Sequence, residues 1–541
     1  MFIGMFIGMF IGLAVWSENG LAASLTNAPA RSLAFVLRRP ASPRPISPLI
    51  YGLAAAPEAL LRDWRIPVNR WGGNTAERYN WKLGNAWNTG NDWFFRNVAV
   101  EPDAWRGFLQ RSKNTQGTAV LTVPLVGYVA KDTTSYSYST GTYGRQTASE
   151  PGHPDIGNGR LPGERLLYGN DPTDANRAAD PEFIAEWLTD VRKGFPELVG
   201  ERRLIITLGN EPMLWNKTHR DVHPDPVTYD EYLTRYTAMA RRVRSAMPEA
   251  LLAGPELWGW PALFESARDR DEGKGLDRRM HGNQPFLPWF LQQLKAHEVR
   301  TGECLLDVVT VHYYPQGEGI YSDAATPTHQ LRRMASTRSL WDPDYRDPSW
   351  INDRIALIPR VKKWIAENYP GRKLGITEYN WGGQNDISGA IALADVLGIF
   401  GREQLDLACY WAYPPDKSLA AQAFALYRNG DGQGAAFGSL GWQVTWDGPG
   451  SWPYEIGSLY AAEIPGEDRL TVIAINKRQV PITLSVRIEA AIGSAISGYR
   501  LDATTPGIVA LKEGERPVRE GDVLHLTLSP RSLYHLRIDL R

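Results

Sequence analysis

The sequence predicts an α/β protein with two parts, a (β/α)8 TIM barrel followed by a C-terminal antiparallel β-sandwich. From about residue 46 to residue 430, eight short apolar runs alternate with eight longer stretches of helical periodicity. This alternation favours a closed parallel barrel over an open sheet. After Arg428-Asn429-Gly430 the pattern changes to strand-length segments separated by turn residues, without a convincing helix.

The predicted barrel strands are short, rich in Val, Ile and Leu, and often end at Gly, Pro or Asn, which is typical of strands buried on both faces. They cover residues 48–51, 66–70, 119–126, 204–208, 251–253, 307–313, 374–377 and 407–412. Helices are predicted near 57–64, 101–112, 181–197, 227–246, 286–298, 351–368, 387–403 and 418–428. A stretch from 131 to 180, rich in Ser, Thr, Gly, Pro and Asp, predicts an insertion over one face of the barrel.

These patterns divide the chain into four segments. Residues 1–24 form a leader, 25–45 contribute a strand to the sandwich, 46–430 form the barrel and 431–541 form the sandwich. The predicted sandwich strands cover 454–462, 470–476, 482–489, 495–501 and 523–540. In the leader, Met1 to Trp16 are apolar and Leu21-Ala22-Ala23-Ser24 is a small-residue zone. This resembles a secretory leader, although no Lys or Arg precedes it, and we expect a secreted protein.

Charge and cysteine content exclude several classes of function. Lys and Arg number 59 against 60 Asp and Glu, and a nucleic-acid binder or an anionic-membrane binder would show a basic excess. Cys304 and Cys409 cannot build a disulfide framework or a Cys-rich zinc site. We expect a monomer without a nucleic-acid or membrane partner.

Two glutamates directly follow buried strands, at the face of a barrel where function gathers. Strand 4 is followed by Gly209-Asn210-Glu211-Pro212, and strand 7 ends at Thr377-Glu378. Paired carboxyl groups are what glycosidic-bond hydrolysis requires, because one protonates the leaving oxygen while the other attacks or activates water. The separation of the carboxyl groups, which decides between retention and inversion, cannot be obtained from the sequence.

Polar residues at other strand ends would support this pair. Arg70 is the best candidate to hold one carboxylate ionised through a charge-assisted hydrogen bond. His312 and Tyr314 lie two residues apart on a strand and therefore share a face, so both could donate to the same carboxylate or to substrate. Asn210, directly before Glu211, is a further candidate to bind substrate.

The chain contains 20 tryptophans, and indole rings stack on the C–H faces of pyranose sugars. Tryptophans within predicted helices are expected in the core. Trp71, Trp381 and Trp411 fall at strand ends and are predicted to touch substrate. No metal is assigned and no cofactor is needed for the chemistry, but Asp155, Asp171 and Asp174 in the insertion could bind a structural Ca²⁺.

Several motifs occur in the order found in one known family. Arg70-Trp71-Gly72-Gly73-Asn74, Gly209-Asn210-Glu211-Pro212, the Thr218–Pro224 loop, Leu340-Trp341-Asp342-Pro343 and Thr377-Glu378-Tyr379-Asn380-Trp381 resemble glycoside hydrolase family 44. The resemblance covers about residues 30–541. That family comprises secreted bacterial endo-β-1,4-glucanases, several of them active on xyloglucan. The resemblance implies retention, with Glu211 as acid/base and Glu378 as nucleophile, and places Trp71, Trp341 and Trp411 in the cleft.

We therefore expect a retaining endo-β-1,4-glucanase that hydrolyses cellulose-type glucans and xyloglucan, with β-glucan polysaccharide as its partner. One alternative keeps the mechanism and changes the substrate to xylan, mannan or mixed-linkage glucan. Another alternative, from a different class, is a non-catalytic glycan-binding protein that kept the aromatic cleft.

Overall fold

The computed structural model describes residues 32–505 and 507–541. The predicted leader, residues 1–24, lies outside the described residues, as do residues 25–31. No helix of the described ranges is long and apolar enough to cross a membrane.

Eight parallel strands close into a barrel, which confirms the predicted fold class. Barrel strands 1 to 8 are Gly52–Ala54, Val68–Trp71, Thr118–Val123, Leu204–Leu208, Leu251–Leu257, Val308–Tyr313, Lys373–Tyr379 and Leu407–Tyr410. Each strand pairs with the next one in the chain, and the barrel closes where strand 8 pairs with strand 1.

The first strand begins later than its apolar run suggests. Residues 48–51, predicted as strand, form a 3-10 helix because the Ser47 hydroxyl caps it and Pro48 occupies its first position, where a missing N–H costs nothing. The strand follows at Gly52–Ala54. A side chain at Gly52 would not fit, since an added Cβ would lie 2.5 Å from the Ala408 carbonyl oxygen on strand 8.

The helices around the barrel agree closely with the predicted ones. The eight helices that correspond to the predicted ones are Glu58–Asp63, Ala104–Asn114, Pro181–Gly194, Tyr229–Ala246, Phe286–Thr301, Leu357–Asn368, Ile387–Arg402 and Leu419–Arg428. Additional helices are Thr140–Tyr143, Pro196–Gly200, Trp215–Thr218, Ala267–Glu272, Leu276–Met280 and Pro327–Ala335. Asp386 caps its helix as predicted, with its side chain accepting from the Ser388 N–H.

The barrel interior changes from apolar to polar along the strands. An apolar layer contains one or two residues from each of six strands: Val68, Val120, Ile205, Ala253, Val308, Leu407 and Cys409. Because side chains alternate along a strand, residues two positions further on point to the same interior. On strand 2 this places Arg70 above Val68, and on strand 6 it places His312 above Thr310. The strand period therefore aims charged groups at the carboxyl face of the barrel.

The sandwich consists of two sheets, and the strand before the barrel belongs to it. One sheet contains, in spatial order, Gln443–Trp446, Ser32–Arg38, Ile482–Ile488, Val523–Leu528 and Val518–Glu520. The other contains Leu440–Gly441, Gly457–Ile464, Arg469–Asn476, Ser532–Leu540, Ile492–Asp502 and Val509–Ala510. Among the described residues, strand pairs in these sheets are antiparallel except that Ser32–Arg38 runs parallel to Ile482–Ile488.

The sandwich packs on the barrel through the helix Ile387–Arg402. This helix is buried all round, as expected of a helix with an apolar partner on each side. Its Asp395 carboxylate pairs with Lys477 of the sandwich at 2.8 Å and accepts from the Tyr460 hydroxyl at 2.8 Å. Gly398 lets the Tyr460 ring approach, since an added Cβ would lie 2.3 Å from that ring. Barrel and sandwich therefore share one continuous core.

Short elements lie in and around the predicted insertion. Ala86–Asn88 pairs with Asn97–Ala99, Tyr128–Ala130 with Asn176–Ala178, Ser149–Glu150 with His153–Gly157, and Arg160–Leu161 with Arg165–Leu166. Phe95, Tyr138 and Leu167 form a small core beneath the insertion.

Candidate active site

Two glutamates meet at the carboxyl face of the barrel. One carboxylate oxygen of Glu211, one of Glu378 and a ring nitrogen of His312 all lie within 4.8 Å of one another. The Glu378 side chain is 6% exposed, whereas that of Glu211 is 15% exposed and so is easier for a ligand to reach. The structure therefore brings together the two acids that the sequence predicts as a pair.

The backbone at Glu211 turns sharply as it leaves strand 4. Glu211 has φ +46°, an uncommon conformation for a residue with a side chain, which costs about 1–2 kcal/mol. Its N–H donates to the carbonyl oxygen of Glu256 at 3.1 Å, and Pro212 then begins the 3-10 helix Pro212–Leu214. This turn lets the Glu211 carboxylate reach His312.

Arg70 lies between two carboxylates. Its Nη1 is 2.7 Å from Glu378 Oε1 and its Nη2 is 2.8 Å from Glu256 Oε2. The side chain is fully buried. Burial opposes the charge of the guanidinium, but Glu378 and Glu256 outweigh it and raise the pKa of Arg70. The geometry is that of a charge-assisted contact to Glu378.

His312 lies between Glu211 and Glu256. Its Nδ1 is 2.8 Å from Glu211 Oε1 and 3.4 Å from Glu378 Oε2, and its Nε2 is 3.0 Å from Glu256 Oε2. Burial disfavours the charged ring, but the three carboxylates prevail and raise the pKa of His312 to about 10. These contacts favour the charged ring, which donates from both nitrogens.

The carboxyl groups differ in their protonation. Burial raises the pKa of Glu211; the hydrogen bond and charge of His312 oppose that rise, and the charge of Glu378 adds to it. Burial also works against ionisation of Glu256, but Arg70 and His312 hold the pKa of that carboxyl at about 2. A raised and a lowered carboxyl in one site is what acid–base chemistry needs.

Tyr314 and Arg70 together fix Glu378. The Tyr314 hydroxyl donates to Glu378 Oε2 at 2.9 Å, while Arg70 contacts Oε1. Both oxygens of Glu378 are therefore oriented by neighbouring donors. His312 and Tyr314, which share a face of strand 6 and its extension, both contact this carboxylate.

Asn210 is held by a buried acid that the sequence analysis missed. Its N–H donates to Glu77 Oε2 at 2.5 Å, and the other Glu77 oxygen accepts from the N–H groups of Leu125 and Val126. Burial raises the pKa of Glu77 to about 8, although these three N–H donors oppose the rise. The Asn210 amide lies 3.4 Å from Arg70 and donates to Asn74 at 3.1 Å. Asn210 thus lies beside the acids, with its main chain fixed.

Of the four predicted tryptophans, Trp411 lies beside the acids. The Arg70 guanidinium is 5.8 Å from the centre of its ring, which is a cation–π contact. The ring packs on the backbone at Gly73, where an added Cβ would lie 2.4 Å from it. The ring is partly exposed and can offer a face to a ligand.

Trp71 and Trp381 are buried and offer no ring face to a ligand, whereas Trp341 is partly exposed but lies elsewhere. Trp71 is 9% exposed and packs in the barrel core, with its ring 4.9 Å from that of Tyr79. Trp381 is 1% exposed, and its Nε1 donates to Ser336 at 3.1 Å. Trp341 lies against Tyr454 of the sandwich, with the Arg402 guanidinium 4.1 Å from its ring centre.

Their positions explain the error. Arg402 ends the helix that follows strand 7, so Trp341 lies at the domain junction, away from the carboxyl face. A strand-end or loop position does not reveal which way an indole points, and the rings of Trp71 and Trp381 point into packed interiors.

Glu256 is a second residue that the sequence analysis missed. It is fully buried, and its oxygens accept from Arg70, from His312 and, at 2.9 Å, from the Thr377 hydroxyl. The prediction ended strand 5 at Ala253 because Gly254-Pro255 reads as a break. Strand 5 in fact continues to Leu257, and a third strand-end glutamate was the available signal.

The predicted calcium ligands do not gather at one point. Asp155 accepts from the hydroxyls of Tyr136 and Ser139, Asp171 caps the 3-10 helix Pro172–Asp174, and the Asp174 carboxylate accepts from the Tyr143 hydroxyl. The calcium prediction stays untested, but these three acids do not form one group in the described ranges.

Glu211, His312 and Glu378 have a spacing that could hold a cation, yet Arg70 and the His312 imidazolium already supply positive charge there.

The chain is similar to known glycoside hydrolases. A model of glycoside hydrolase family 44 matches residues 86–317. The chain is 31% identical over 471 residues to Beta-mannanase/endoglucanase A of Caldicellulosiruptor saccharolyticus. The alignment covers 80% of this chain and 33% of that protein. The chain thus spans about a third of the length of this relative.

Solved structures match over almost the whole chain. CelM2, a bifunctional glucanase-xylanase protein from a metagenome library, is 36% identical with a TM-score of 0.89, covering 95% of this chain and 100% of that one. A family 44 xyloglucanase of Paenibacillus polymyxa, solved with xyloglucan, is 25% identical with a TM-score of 0.77, covering 94% and 100%. Most glycoside hydrolases use a pair of carboxyl groups, and TIM-barrel enzymes carry their active sites at the carboxyl face of the barrel, so fold and site together define a glycoside hydrolase. The chain belongs to glycoside hydrolase family 44.

Proposed function

We propose that the protein is a retaining endo-β-1,4-glucanase that hydrolyses cellulose-type glucans and xyloglucan. The observation that carries the proposal is the approach of the nearest Glu211 and Glu378 oxygens to within 4.8 Å. Retaining enzymes keep their carboxyl groups ~5–5.5 Å apart, whereas inverting enzymes need ~6.5–9.5 Å to admit water. The shorter spacing supports a double displacement.

In the first displacement, Glu378 attacks the anomeric carbon and forms a C–O bond while the glycosidic C–O bond breaks. Glu211 gives its proton to the departing oxygen. In the second, Glu211 takes a proton from water, the water oxygen bonds to the anomeric carbon, and the bond to Glu378 breaks. The raised pKa of Glu211 favours its protonated form at the start of this cycle.

The neighbours of the two acids have roles that follow from their contacts. Arg70 and Tyr314 orient the Glu378 carboxylate for attack. Asn210 lies where its amide could bond the sugar 2-hydroxyl beside the reaction centre. Trp411 offers an indole face to a sugar ring.

The test of the two acids is substitution. Glu378→Ala and Glu211→Ala should each lower hydrolysis of soluble cellulose, Glu378→Ala by at least about 10³-fold because the nucleophile is lost. Retention of more than a few per cent of activity by Glu378→Ala would refute its assignment. NMR of the first product should show the substrate's anomeric configuration, and the opposite configuration would contradict double displacement. Glu303→Ala, in an outer helix-end loop, is the control.

The relatives differ in the polysaccharide that their names give: one is a glucanase-xylanase, one a mannanase/endoglucanase and one a xyloglucanase. We infer a β-1,4-glucan because these names share glucan chemistry. A panel of purified xyloglucan, carboxymethyl cellulose, xylan, mannan and mixed-linkage glucan tests this. Faster hydrolysis of xylan or mannan than of either glucan would favour the alternative.

A non-catalytic glycan-binding protein is the rival from another class. Such a protein has no need of a carboxyl group with a raised pKa beside an oriented carboxylate, and Glu211 and Glu378 form such a pair. Release of reducing sugar from any β-glucan eliminates this rival.

Because a polysaccharide cannot enter a cell, we also propose that the protein is secreted; detection of the active protein in culture medium tests this.

A further inference from the structure

Beneath the two strand-end glutamates lies a third carboxylate, that of Glu256. It is fully buried, so it cannot touch a polysaccharide in the cleft. Its Oε2 lies 2.8 Å from Arg70 Nη2 and 3.0 Å from His312 Nε2, and its Oε1 accepts from the Thr377 hydroxyl at 2.9 Å. Any effect of Glu256 on the reaction must therefore pass through Arg70 or His312.

Both of these partners are shared with the reacting acids. Arg70 bridges Glu256 and Glu378, and His312 bridges Glu256 and Glu211. The backbone adds a direct link, because the Glu256 carbonyl oxygen accepts the Glu211 N–H. Glu256 itself has φ +54°, at the point where the pairing of strands 5 and 6 shifts register. This irregular backbone brings its carboxylate under the site.

Five groups are joined by direct contacts: Arg70, His312, Glu211, Glu256 and Glu378. Among them the charges balance when Glu256 is ionised. With Glu211 protonated for the first displacement, the cations are Arg70 and His312, and the anions are Glu256 and Glu378. Asp92, whose pKa burial raises to about 6, also faces Glu211 and Glu378, and its carboxylate accepts from the Asn74 amide. Other titratable groups near Glu256 add no charge at neutral pH, since burial raises the pKa of Cys409 to about 12 and that of Tyr232 well above its usual range.

Loss of the Glu256 charge would leave two cations facing one carboxylate in a buried site. The cluster would return to neutrality by giving up a proton. His312 and Glu211, 2.8 Å apart, would then share one proton, whereas a charged His312 and a protonated Glu211 hold two. When that proton lies on His312, Glu211 has none to give to the leaving oxygen.

We propose that Glu256 is a positioning residue that holds one proton on His312, so that Glu211 keeps a separate proton for the leaving group. The inference rests on the proposed double displacement. It assigns Glu256 to the acid step alone, because Glu378 keeps its own contacts with Arg70 and Tyr314.

The test compares two substrates that differ only in their need for an acid. One is an unactivated cello-oligosaccharide; the other is a 2,4-dinitrophenyl β-glycoside of matching length, whose phenolate leaves without protonation. Glu256→Gln should lower kcat/KM on the first by about 100-fold or more, the scale of general acid catalysis, and on the second by less than about fivefold. Glu303→Gln, a matched change in the Glu303–His297 pair, should alter neither.

Equal losses of Glu256→Gln on both substrates, or no loss on either, would overturn the inference. These outcomes are distinct from failure of the proposed function, in which the unmodified protein hydrolyses neither substrate or Glu378→Ala remains active. A structural role alone would not separate the two substrates.

Direct observation of the His312 ring keeps the proposal testable even if Glu256→Gln does not fold. With ¹⁵N-labelled histidine, the signals lost in His312→Asn identify this ring among the nine histidines. At pH 7 both of its nitrogens should carry protons in the unmodified protein, and in Glu256→Asp, which keeps the charge. A neutral His312 ring in the unmodified protein would overturn the proposal.

Discussion

Acidification should weaken the fold through His535, a histidine buried at the junction of barrel and sandwich. It lies on Ser532–Leu540, the sandwich strand that packs against the helix Leu419–Arg428. Burial, with a smaller contribution from the charge of Arg537, lowers the pKa of His535 from 6.5 to about 4. The unfolded chain therefore takes up a proton below about pH 6.5, while the folded chain does so only near pH 4.

The sign and size of the effect follow from this difference. The contribution of His535 to the free energy of unfolding is complete above pH 6.5 and is lost as the pH falls towards 4. At 1.36 kcal/mol per pKa unit, the whole loss is about 3 kcal/mol, of which about 2 kcal/mol has occurred by pH 5.

Urea unfolding at pH 7 and pH 5, followed by tryptophan fluorescence, measures this loss. The unmodified protein should lose about 2 kcal/mol more than His535→Leu between the two pH values, because the variant has no ring to protonate. His525→Leu, at a partly exposed site on the outer sheet, is the control and should behave like the unmodified protein. Equal losses in the unmodified protein and His535→Leu would refute the reasoning.

Two further predictions concern the site. Tyr314→Phe removes the hydroxyl that donates to Glu378. Because a hydrogen bond to a charged group is worth about 1.5–3 kcal/mol, kcat should fall about 10- to 150-fold. An unchanged kcat would contradict the contact. Gly73→Ala should lower kcat/KM on cello-oligosaccharides, because the new Cβ would lie 2.4 Å from the Trp411 ring at φ +86°. Gly144→Ala is the control, because Gly144 has a similar φ of +80° but open space around it, so the change introduces backbone strain without displacing a ring. An equal loss of kcat/KM in Gly144→Ala would count against the Trp411 assignment.

The sequence was sufficient where local chemistry determines structure. Caps such as Asp386 mark helix starts, and apolar runs followed by Asn210-Glu211 or Thr377-Glu378 mark strand ends in a barrel. Arg70 could be placed beside a carboxylate because the carboxyl ends of all barrel strands meet at one face.

The remainder depended on tertiary packing. Gly254-Pro255 is typical of a turn, yet strand 5 continues through it to Leu257. The sequence pattern therefore did not identify Glu256 as a strand-end residue. Trp381 follows a strand end like Trp411, but one ring is buried against Ser336 and the other stays partly exposed. Side-chain direction in such loops is set by distant neighbours, which residue spacing does not encode.

The parallel pairing of Ser32–Arg38 with Ile482–Ile488 has a consequence for biosynthesis. During translation Ser32–Arg38 is synthesised some 450 residues before Ile482–Ile488. It therefore has no parallel partner strand while the whole barrel is being synthesised. Its exposed edge would meanwhile be open to pairing with other chains. A gene fragment stopped at the end of the barrel would leave that edge uncovered permanently, together with the outer side of the helix Ile387–Arg402, and should therefore accumulate as aggregate.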